Sequence, residues 1–298
     1  IFLLDNGSKK DSVEYIQKWL EINFIHPFKI VNEEEFNSIE NFSNNLLYLI
    51  KGKENLGFAK GNNLVLNKIK NLYSYSLLLN NDTVITKNSI SNMIDYLDNN
   101  PKSGVISCDI RYYSEPSKLW NAGGYFTWYG DRKYFKQSKI DTYKKNGVQA
   151  INTPFITGCA LMARKEILLK YGILTEDFFF GEEDFNYCKR LVENNVKVES
   201  ILSSTIYHKV GTSIKKSQKN INSFVLHFSN RIIDLKKFYK PIYWKVWRLL
   251  YLSAIFIKVF TITKNLNDTV KVCQYIFEYS TKYNEISYET FLEINNLV

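Results

Sequence analysis

The chain has 298 residues and a mass of 35.0 kDa, and 45% of its residues are hydrophobic and 23% are charged. This composition excludes wholesale disorder and collagen-like or low-complexity architectures, and the length suits one large domain or one domain with an appendage. The formal net charge of +9 favours anionic partners such as phosphates, nucleic acid or an anionic membrane face.

The four cysteines lie far apart in the chain, and none belongs to a C-x-x-C pair. This spacing argues against a zinc ribbon or a thioredoxin-like redox motif. We therefore expect buried, reduced thiols in a cytoplasmic protein. The chain begins at Ile1 inside an apolar run, without a basic leader, and we expect that a first strand preceding Ile1 is missing.

The first 110 residues alternate between apolar strands and amphipathic helices. Apolar runs predict strands at residues 1–4, 46–50, 75–79 and 105–106, and helical spacing predicts helices at 11–22, 61–72 and 88–97. The polar, Asn- and Glu-rich segment 23–45 is interpreted as a loop or an insertion. This alternation predicts an α/β fold with a mostly parallel sheet flanked by helices.

The pattern changes after residue 110. Residues 111–157 are aromatic and turn-rich without a long periodicity; beyond them the sequence predicts a strand at 158–163, a helix at 182–195 and short strands at 196–201 and 205–208. From about residue 217 onward the chain is helical, basic and aromatic. We therefore expect an α/β catalytic domain at 1–215 and a helical appendage at 216–298.

Two polar clusters follow buried strands of the predicted sheet. The segment D-N-G-S begins at Asp5, and Asn80-Asn81-Asp82 follows the strand at 75–79. Ligands of open α/β sheets bind beyond the carboxyl ends of the strands, so both clusters are candidates for a binding site. Helix caps or turns are the alternative, because Asp, Asn and Ser are the preferred residue types there.

Asp82 is a candidate ligand for a hard divalent cation. Mg²⁺ and Mn²⁺ are commonly held by one or two carboxylates together with phosphate oxygens. His208, at the end of a predicted strand, could add an imidazole, although a lone histidine is more often structural. The other two histidines are His26 and His227.

The segment F-F-F-G-E-E-D at 178–184 combines an apolar wall with three acids. Apolar surroundings and neighbouring like charges both raise a carboxyl pKa, which suits a general base. The alternative is an acidic helix N-terminus, where the helix dipole favours Glu and Asp.

Together these residues resemble a family 2 glycosyltransferase with the GT-A (Rossmann-like) fold, close to the bacterial rhamnosyltransferase-like branch. The resemblance covers about residues 1–215 and includes seven motifs in the family's order. They are D-N-G-S at 5–8, N-L-G-F-A-K-G-N-N at 55–63, L-L-L-N-N-D at 77–82, W-N-A-G-G at 120–124, T-G-C-A-L-M-A-R at 157–164, F-F-F-G-E-E-D at 178–184 with Arg190, and H-K-V-G-T-S at 208–213.

The resemblance implies a role for each matching residue. Asp184 would be the catalytic base, and Asp82 and His208 would bind the Mn²⁺ or Mg²⁺ that bridges the donor diphosphate. The residues implied in nucleotide binding are Asp5, Asn6, Asn55, Gly57, Asn63 and Asn81. Those implied on the acceptor or donor-sugar side are Glu183, Trp120, Gly124 and Gly158.

Three features depart from the family pattern. Asn80 replaces the first Asp of the D-x-D motif, so metal binding would depend more on Asp82 and His208. Asn186 stands where the branch often has a further Asp. No Q-x-x-R-W motif follows, which argues against a processive polysaccharide synthase.

The resemblance implies an inverting, metal-dependent enzyme that moves one sugar from a nucleotide-diphospho-sugar to a hydroxyl of a glycan or lipid-linked acceptor in cell-surface polysaccharide biosynthesis. The alternative is a catalytically weak GT-A-like scaffold module in a membrane-associated glycan assembly complex, and the retention of Asp82 and Asp184 counts against it. Only the charge suggests a nucleic-acid-binding protein. We expect no nucleic acid partner, because no helix-turn-helix, zinc finger or RNP-type motif is present.

Residues 243–262 are dense in Trp, Tyr, Leu and Ile and carry Lys245, Arg248 and Lys258. These cations would span roughly 140° of a helix, which suits a helix in a membrane interface with Trp244 and Trp247 at headgroup level. Peripheral association through 241–264 with the inner face of the cell membrane is therefore one interpretation. A core helix packed on the catalytic domain or on a partner subunit is the other, and the oligomeric state stays open. Nearby lysines are Lys215, Lys216, Lys219, Lys236, Lys237 and Lys240.

Overall fold

The computed structural model describes residues 1–8, 10–210 and 221–297. The expected domain boundary near residue 215 lies outside these residues. So do the last three positions of the H-K-V-G-T-S motif (211–213) and the lysines at 215, 216 and 219.

The described residues form twelve strands and eleven helices. The strands are β1 (Phe2–Asp5), β2 (Phe28–Asn32), β3 (Leu47–Lys51), β4 (Tyr75–Leu79), β5 (Thr83–Ile85), β6 (Ser103–Tyr112), β7 (Leu119–Asn121), β8 (Gly124–Phe126), β9 (Arg132–Tyr134), β10 (Ala150–Asn152), β11 (Ala160–Arg164) and β12 (Lys197–His208). The helices are α1 (Lys10–Asn23), α2 (Glu33–Ser38), α3 (Gly57–Ile69), α4 (Ser89–Asn99), α5 (Gln137–Lys145), α6 (Lys165–Tyr171), α7 (Glu183–Glu193), α8 (Ile221–Lys236), α9 (Pro241–Thr263), α10 (Leu266–Lys282) and α11 (Tyr288–Asn295).

The N-terminal sheet has the order β1-β3-β2, and all its strands are parallel. Side chains of β3 alternate between two apolar layers, as the period of a strand requires. Leu47 and Leu49 pack against Leu20 of α1 on one face, whereas Tyr48 and Ile50 pack against α2 and α3 on the other. Because both faces are covered, β3 consists almost entirely of apolar residues.

The larger sheet has the order β10-β12-β6-β11-β4, with β5 beside β12 and β7 beside β6. Its central pair, β6 and β12, is parallel, whereas β11 is antiparallel to both of its neighbours. Met93 and Leu97 of α4 cover one face of this sheet. Helices α3, α6 and α7 cover the other face. The predicted α/β class, with sheets flanked by helices, is confirmed.

The prediction of a loop or insertion at residues 23–45 is wrong, because this segment contains β2 and α2. The strand is a short edge strand, paired only with β3 within the described residues, and it buries just Val31. The helix begins with a capping box in which Asn32 and Glu35 bind each other's backbone N–H. So few buried apolar residues leave a weak periodic signal in the sequence.

The two short strands predicted at 196–201 and 205–208 form one strand, β12. Its pairing with β6 shifts register between Ile201 and Thr205, which is where the sequence pattern breaks. The continuous strand carries His208 to the edge of the sheet beside β5, where His208 pairs with Thr83.

The four C-terminal helices enclose a hydrophobic core of their own. It includes Phe228 and Ile232 of α8, Trp247 and Tyr251 of α9, and Ile276 of α10. Two residues of the α/β region also belong to it, since Phe178 is fully buried in this core and Tyr129 packs against it.

The expectation that Trp244 and Trp247 lie at a membrane surface is wrong. Both are at least 94% buried inside the protein, where Trp244 donates to the carbonyl of Ile232 and Trp247 to the carbonyl of Tyr129. Arg248 is buried between the rings of Trp244 and Phe277. Among the described helices, α9 alone is long and apolar enough to cross a membrane, judged by length and composition only.

Buried polar contacts join the C-terminal helices to the α/β region. Arg231 of α8 pairs with Asp131 at 2.8 Å, and the amide of Asn230 donates to the carbonyl of Phe180 at 2.8 Å. Asn186 of α7 donates to Asp234 of α8. We retain 1–215 and 216–298 as a proposed division of the chain, with these contacts crossing it.

Candidate active site

A carboxylate and an imidazole from distant parts of the chain meet at the edge of the larger sheet. Oδ1 of Asp82, in the turn between β4 and β5, lies 3.0 Å from Nε2 of His208. The backbone N–H of Lys209 donates to the carbonyl of Asp82 at 2.8 Å and holds the two segments in register. The other ring nitrogen, Nδ1 of His208, is buried without a hydrogen-bond partner.

Trp120 connects this pair to a cavity. Its ring meets the imidazole of His208 edge to face, with the ring centroids 4.3 Å apart. Trp120 also lines a cavity of about 360 Å³, so the Asp82–His208 pair lies directly behind one wall of it. The residues that line the cavity are Trp120, Asn121, Tyr134, Phe155, Ile156, Thr157, Asp184 and Phe185.

Asp184 is the one carboxylate among those lining residues. It belongs to the first turn of α7, and its Oδ2 accepts the N–H of Gly158 at 3.0 Å while its Oδ1 accepts the N–H of Phe185 at 2.8 Å. Burial raises the pKa of Asp184, against the Gly158 N–H and the charge of Arg132, which act to lower it. A carboxylate of raised pKa that faces a cavity can accept a proton from a bound hydroxyl.

Glu183 precedes Asp184 but has a different setting. Its Oε2 accepts the N–H groups of Gly181 and Glu182, both at 2.7 Å, and the side chain is buried. Burial and the charge of Asp184 raise the pKa of Glu183 to about 7. Glu183 therefore fixes the turn that leads into α7.

A buried ion pair lies beneath Asp184. The guanidinium of Arg132 bonds the carboxylate of Glu182 and stacks on the ring of Phe185, 3.2 Å from its centroid. Burial and the nearby charge of Arg231 lower the pKa of Arg132 to about 9. This cation holds Phe185 in place as one wall of the cavity, and its charge favours the ionised form of Asp184.

Three of the residues expected to bind the nucleotide form one hydrogen-bonded cluster. The amide of Asn6 donates to Oδ1 of Asn55 at 3.2 Å and to the carbonyl of Gly57 at 2.9 Å. Oδ1 of Asn6 accepts the N–H of Leu56, and Oδ1 of Asn55 accepts the N–H of Gly57. Asp5, buried at the end of β1, directly precedes this cluster in the chain and accepts the N–H of Ser8.

Phe58 links the cluster to Asp184. Its N–H donates to the carbonyl of Phe179, and a Cβ on Gly57, where φ is +77°, would overlap that carbonyl. The ring of Phe58 would lie 2.9 Å from a Cβ on Gly158, the residue whose N–H binds Asp184. Neither position has room for a Cβ, and these close approaches bring three of the sequence motifs into contact, at 55–63, 157–164 and 178–184.

Three further predicted site residues do not line the cavity. Asn63 is buried, and its amide donates to the carbonyl of Leu174 and to Glu176. Gly124 is buried in the hairpin of β8 and β9, where its N–H donates to Thr153. Asn81 is exposed in the turn beside Asp82.

The residues present fit a divalent cation with few protein ligands. Within the described residues no group of three or more His, Cys, Asp or Glu side chains could hold a metal ion. Adjacent ligands of an octahedral Mg²⁺ lie about 3 Å apart, which matches the 3.0 Å between Asp82 Oδ1 and His208 Nε2. Mg²⁺ and Mn²⁺ accept one oxygen and one nitrogen ligand from a protein when phosphate or water fills the remaining coordination positions.

Sequence reasoning did not assign a role to several residues of this site. Tyr134 and Phe155 line the cavity but come from the segment 111–157, which has no periodicity. Asn121 follows Trp120 in the W-N-A-G-G motif at 120–124, and this position in the motif could have indicated a role for it. Arg132 could be recognised only through its contact with Glu182, 50 positions away.

The family model described as Glycosyl transferase family 2 matches residues 1–172. No curated protein sequence matches the chain. Among solved structures, GalNAc-T7 with UDP, GalNAc and Mn²⁺ has a TM-score of 0.60 at 13% identity, covering 98% of this chain and 49% of that one. The chain thus spans about half the length of that relative, and the likeness confirms the GT-A fold. The mannosyltransferase PcManGT from Pyrobaculum calidifontis, with GDP-Man and Mn²⁺, has a TM-score of 0.46 at 12% identity, covering 95% of this chain and 76% of that one.

Proposed function

The chain belongs to glycosyl transferase family 2, and we propose that it transfers one sugar from a nucleotide-diphospho-sugar to a hydroxyl of a glycan or lipid-linked acceptor. One observation carries this proposal. Asp184 lines a cavity of about 360 Å³, and another lining residue, Trp120, contacts His208, which is paired with Asp82. A base and a candidate cation site thus flank a space large enough for a sugar ring.

Asp82 and His208 would hold Mn²⁺ or Mg²⁺. When bound, such a cation supplies positive charge that stabilises the leaving nucleoside diphosphate. The GalNAc-T7 complex contains UDP and Mn²⁺, which supports the same class of donor and cofactor here.

Asp184 would remove the proton of the acceptor hydroxyl. The N–H groups of Gly158 and Phe185 fix the orientation of its carboxylate and leave lone pairs on both oxygens for the acceptor. Glu183 binds backbone N–H groups, and Asp184 is the one carboxylate among the residues that line the cavity. One base without a second nucleophile supports direct displacement and inversion at the anomeric carbon.

Aromatic side chains would hold the acceptor. Trp120, Tyr134, Phe155 and Phe185 provide apolar ring faces, and Asn121 adds a polar group among them. Sugars present apolar C–H faces together with hydroxyls, so this mixture suits a glycan. Asp5 and the adjoining cluster of Asn6, Asn55 and Gly57 would form the nucleotide side of the site.

The setting of the reaction is also a proposal. Resemblance to the rhamnosyltransferase-like branch supports cell-surface polysaccharide biosynthesis, at the cytoplasmic face of the cell membrane where lipid-linked acceptors are available. Oligomerisation is left open.

A donor screen tests the proposed function. The full chain with Mn²⁺ is incubated with UDP-, GDP- and dTDP-sugars and a set of glycan and lipid-linked acceptors, and nucleoside diphosphate release is measured. We expect one donor to be consumed in a metal- and acceptor-dependent reaction, and NMR of the product to show an inverted anomeric configuration. A chain that binds donors but turns over none of them would instead favour the scaffold module.

A further inference from the structure

One face of α9 is apolar and uncovered. Six large side chains on it are between 43% and 81% exposed, namely Ile242, Val246, Leu249, Leu250, Ile257 and Phe260. At 100° per residue they fall within about 100° of the helix circumference, which makes them one continuous stripe. From Ile242 to Phe260 the stripe is about 27 Å long. We call these six residues the α9 stripe.

The opposite side of α9 is fixed to the protein. Trp244 and Trp247 donate to backbone carbonyls of α8 and of the β8–β9 turn, and Arg248 donates to Thr281 of α10 at 2.8 Å. If α9 crossed a bilayer, these three side chains would lose their partners, and the charge of Arg248 would enter hydrocarbon. The fold therefore presents α9 lengthwise, with the stripe as the continuous exposed apolar surface along the helix.

The charge around the stripe is positive. Helix α9 contains no Asp or Glu, and its charged residues are Lys245, Arg248 and Lys258. Lys245 is exposed beside the stripe, and the exposed Lys240 and Lys264 cap the two ends of the helix. Aliphatic side chains rimmed by lysines complement a bilayer that carries anionic headgroups.

The same lysines disfavour a second copy of this chain as the occupant. Two α9 stripes packed on each other would bring the lysines of one copy towards those of the other, with no acid on either helix to neutralise them. A bilayer removes the same apolar surface from water and supplies the missing negative charge.

We infer that the α9 stripe is a docking surface for an anionic lipid bilayer, on which the helix lies parallel to the membrane plane. The buried tryptophans hold the helix to the protein, and the aliphatic stripe enters the membrane. The contact of Trp247 with Tyr129 places α9 next to the hairpin that carries Tyr134 of the cavity. Docking on this membrane would bring a lipid-linked acceptor close to the cavity. That consequence rests on the proposed function, whereas the docking itself does not.

Vesicle flotation of the full chain tests the docking without any donor present. Phosphatidylcholine vesicles with and without phosphatidylglycerol are compared for the wild type, Leu250→Glu/Ile257→Glu, and Ile22→Glu, which changes an 81% exposed isoleucine on α1. We expect the wild type to bind anionic vesicles, the double variant to bind at least about tenfold less, and Ile22→Glu to bind like the wild type. All three proteins should melt at similar temperatures, because the altered side chains are exposed.

Three outcomes would overturn the inference. The first is equal vesicle binding by the wild type and the double variant, and the second is a wild type that does not bind anionic vesicles. The third is a wild-type dimer in sedimentation experiments that the double variant no longer forms. Resistance of the bound protein to carbonate extraction would contradict the in-plane orientation, because a peripheral helix is extracted and a spanning helix is not. Loss of vesicle binding by the double variant with unchanged turnover on a soluble acceptor would separate docking from catalysis.

Discussion

Nε2 of His208 lies 3.0 Å from Oδ1 of Asp82, although 126 positions separate the two residues in the chain. Strand β12 carries the histidine to the edge of the sheet, where the turn after β4 presents the aspartate. The orphan Nδ1 of His208 is buried against the protein, so the pair can bind a ligand only through the side that faces Asp82.

Asp82→Asn should remove the metal-dependent binding of a nucleoside diphosphate. The neutral amide supplies no negative charge for the cation, and we expect metal affinity to fall at least about tenfold. Thermal shift with UDP, GDP and dTDP, each with and without Mn²⁺, measures the effect, since a ligand at 100 times its Kd stabilises by about 2.7 kcal/mol. Asp95→Asn, at an exposed position of α4, is the matched control. A full Mn²⁺-dependent shift in Asp82→Asn would exclude this aspartate as a ligand.

Asp184→Asn should abolish turnover while leaving donor affinity largely intact. Removing a general base costs about 10²- to 10⁴-fold in rate, and the single amide oxygen of Asn can still accept one of the two N–H groups, from Gly158 or from Phe185. Because burial raises the pKa of Asp184, the rate of the wild type should rise with pH through a pKa above the ordinary aspartate range. Turnover, donor affinity and a pH–rate profile are measured together. Near-normal turnover in the variant, or a rate independent of pH, would rule out the assignment.

Glu183→Gln should change how stability depends on pH. The folded-state pKa of Glu183 is raised from 4.5 to about 7, so the protonated form is favoured in the folded protein. This contribution to stability is complete below pH 4.5 and is lost as the pH rises through about 7. The wild type should therefore lose stability relative to Glu183→Gln across this window, by an amount on the order of a few kcal/mol. Urea unfolding from pH 4.5 to 8 measures it, with the exposed Glu166→Gln as control. Parallel curves for wild type and Glu183→Gln would contradict the expectation.

Gly57→Ala should be more destabilising than Gly147→Ala. Both glycines have positive φ, +77° and +73°, so the backbone cost of about 1–2 kcal/mol is shared by the two variants. A Cβ on Gly57 also overlaps the carbonyl of Phe179, whereas a Cβ on Gly147 meets nothing within 4 Å. We expect a difference of at least about 1 kcal/mol in unfolding free energy and lower donor affinity in Gly57→Ala only. Equal destabilisation of the two variants would show that the close approach to Phe179 costs nothing.

The sequence allowed parts of the fold to be predicted where local patterns are strong. Strand β4 coincides with its prediction because a buried apolar run ends abruptly at Asn80. Strand β2 was missed because it is an edge strand with a single buried residue. The GT-A fold and the family could be recognised from ordered motifs, which carry more information than any single element.

The error about α9 has a specific cause. Helical spacing assigns all three cations of α9 to a polar face, but Arg248 is buried by stacking between Trp244 and Phe277 and by its bond to Thr281. Phe277 and Thr281 lie on α10, so the pattern within α9 could not reveal them. Arg132 and Tyr134 also depend on tertiary contacts that the sequence does not reveal, Arg132 with Glu182 and Phe185, and Tyr134 with Phe155.

The bond from Asn230 to the carbonyl of Phe180, together with Phe178 in the core of the C-terminal helices, has a consequence for engineering. A chimera that exchanges residues 221–297 for those of a relative would remove the partners of Phe178 and Phe180. The F-F-F-G-E-E-D segment at 178–184 would then pack against a different set of helices. To preserve the conformation of the turn that leads into α7, the exchanged block would have to include residues 127–134 and 178–186 as well.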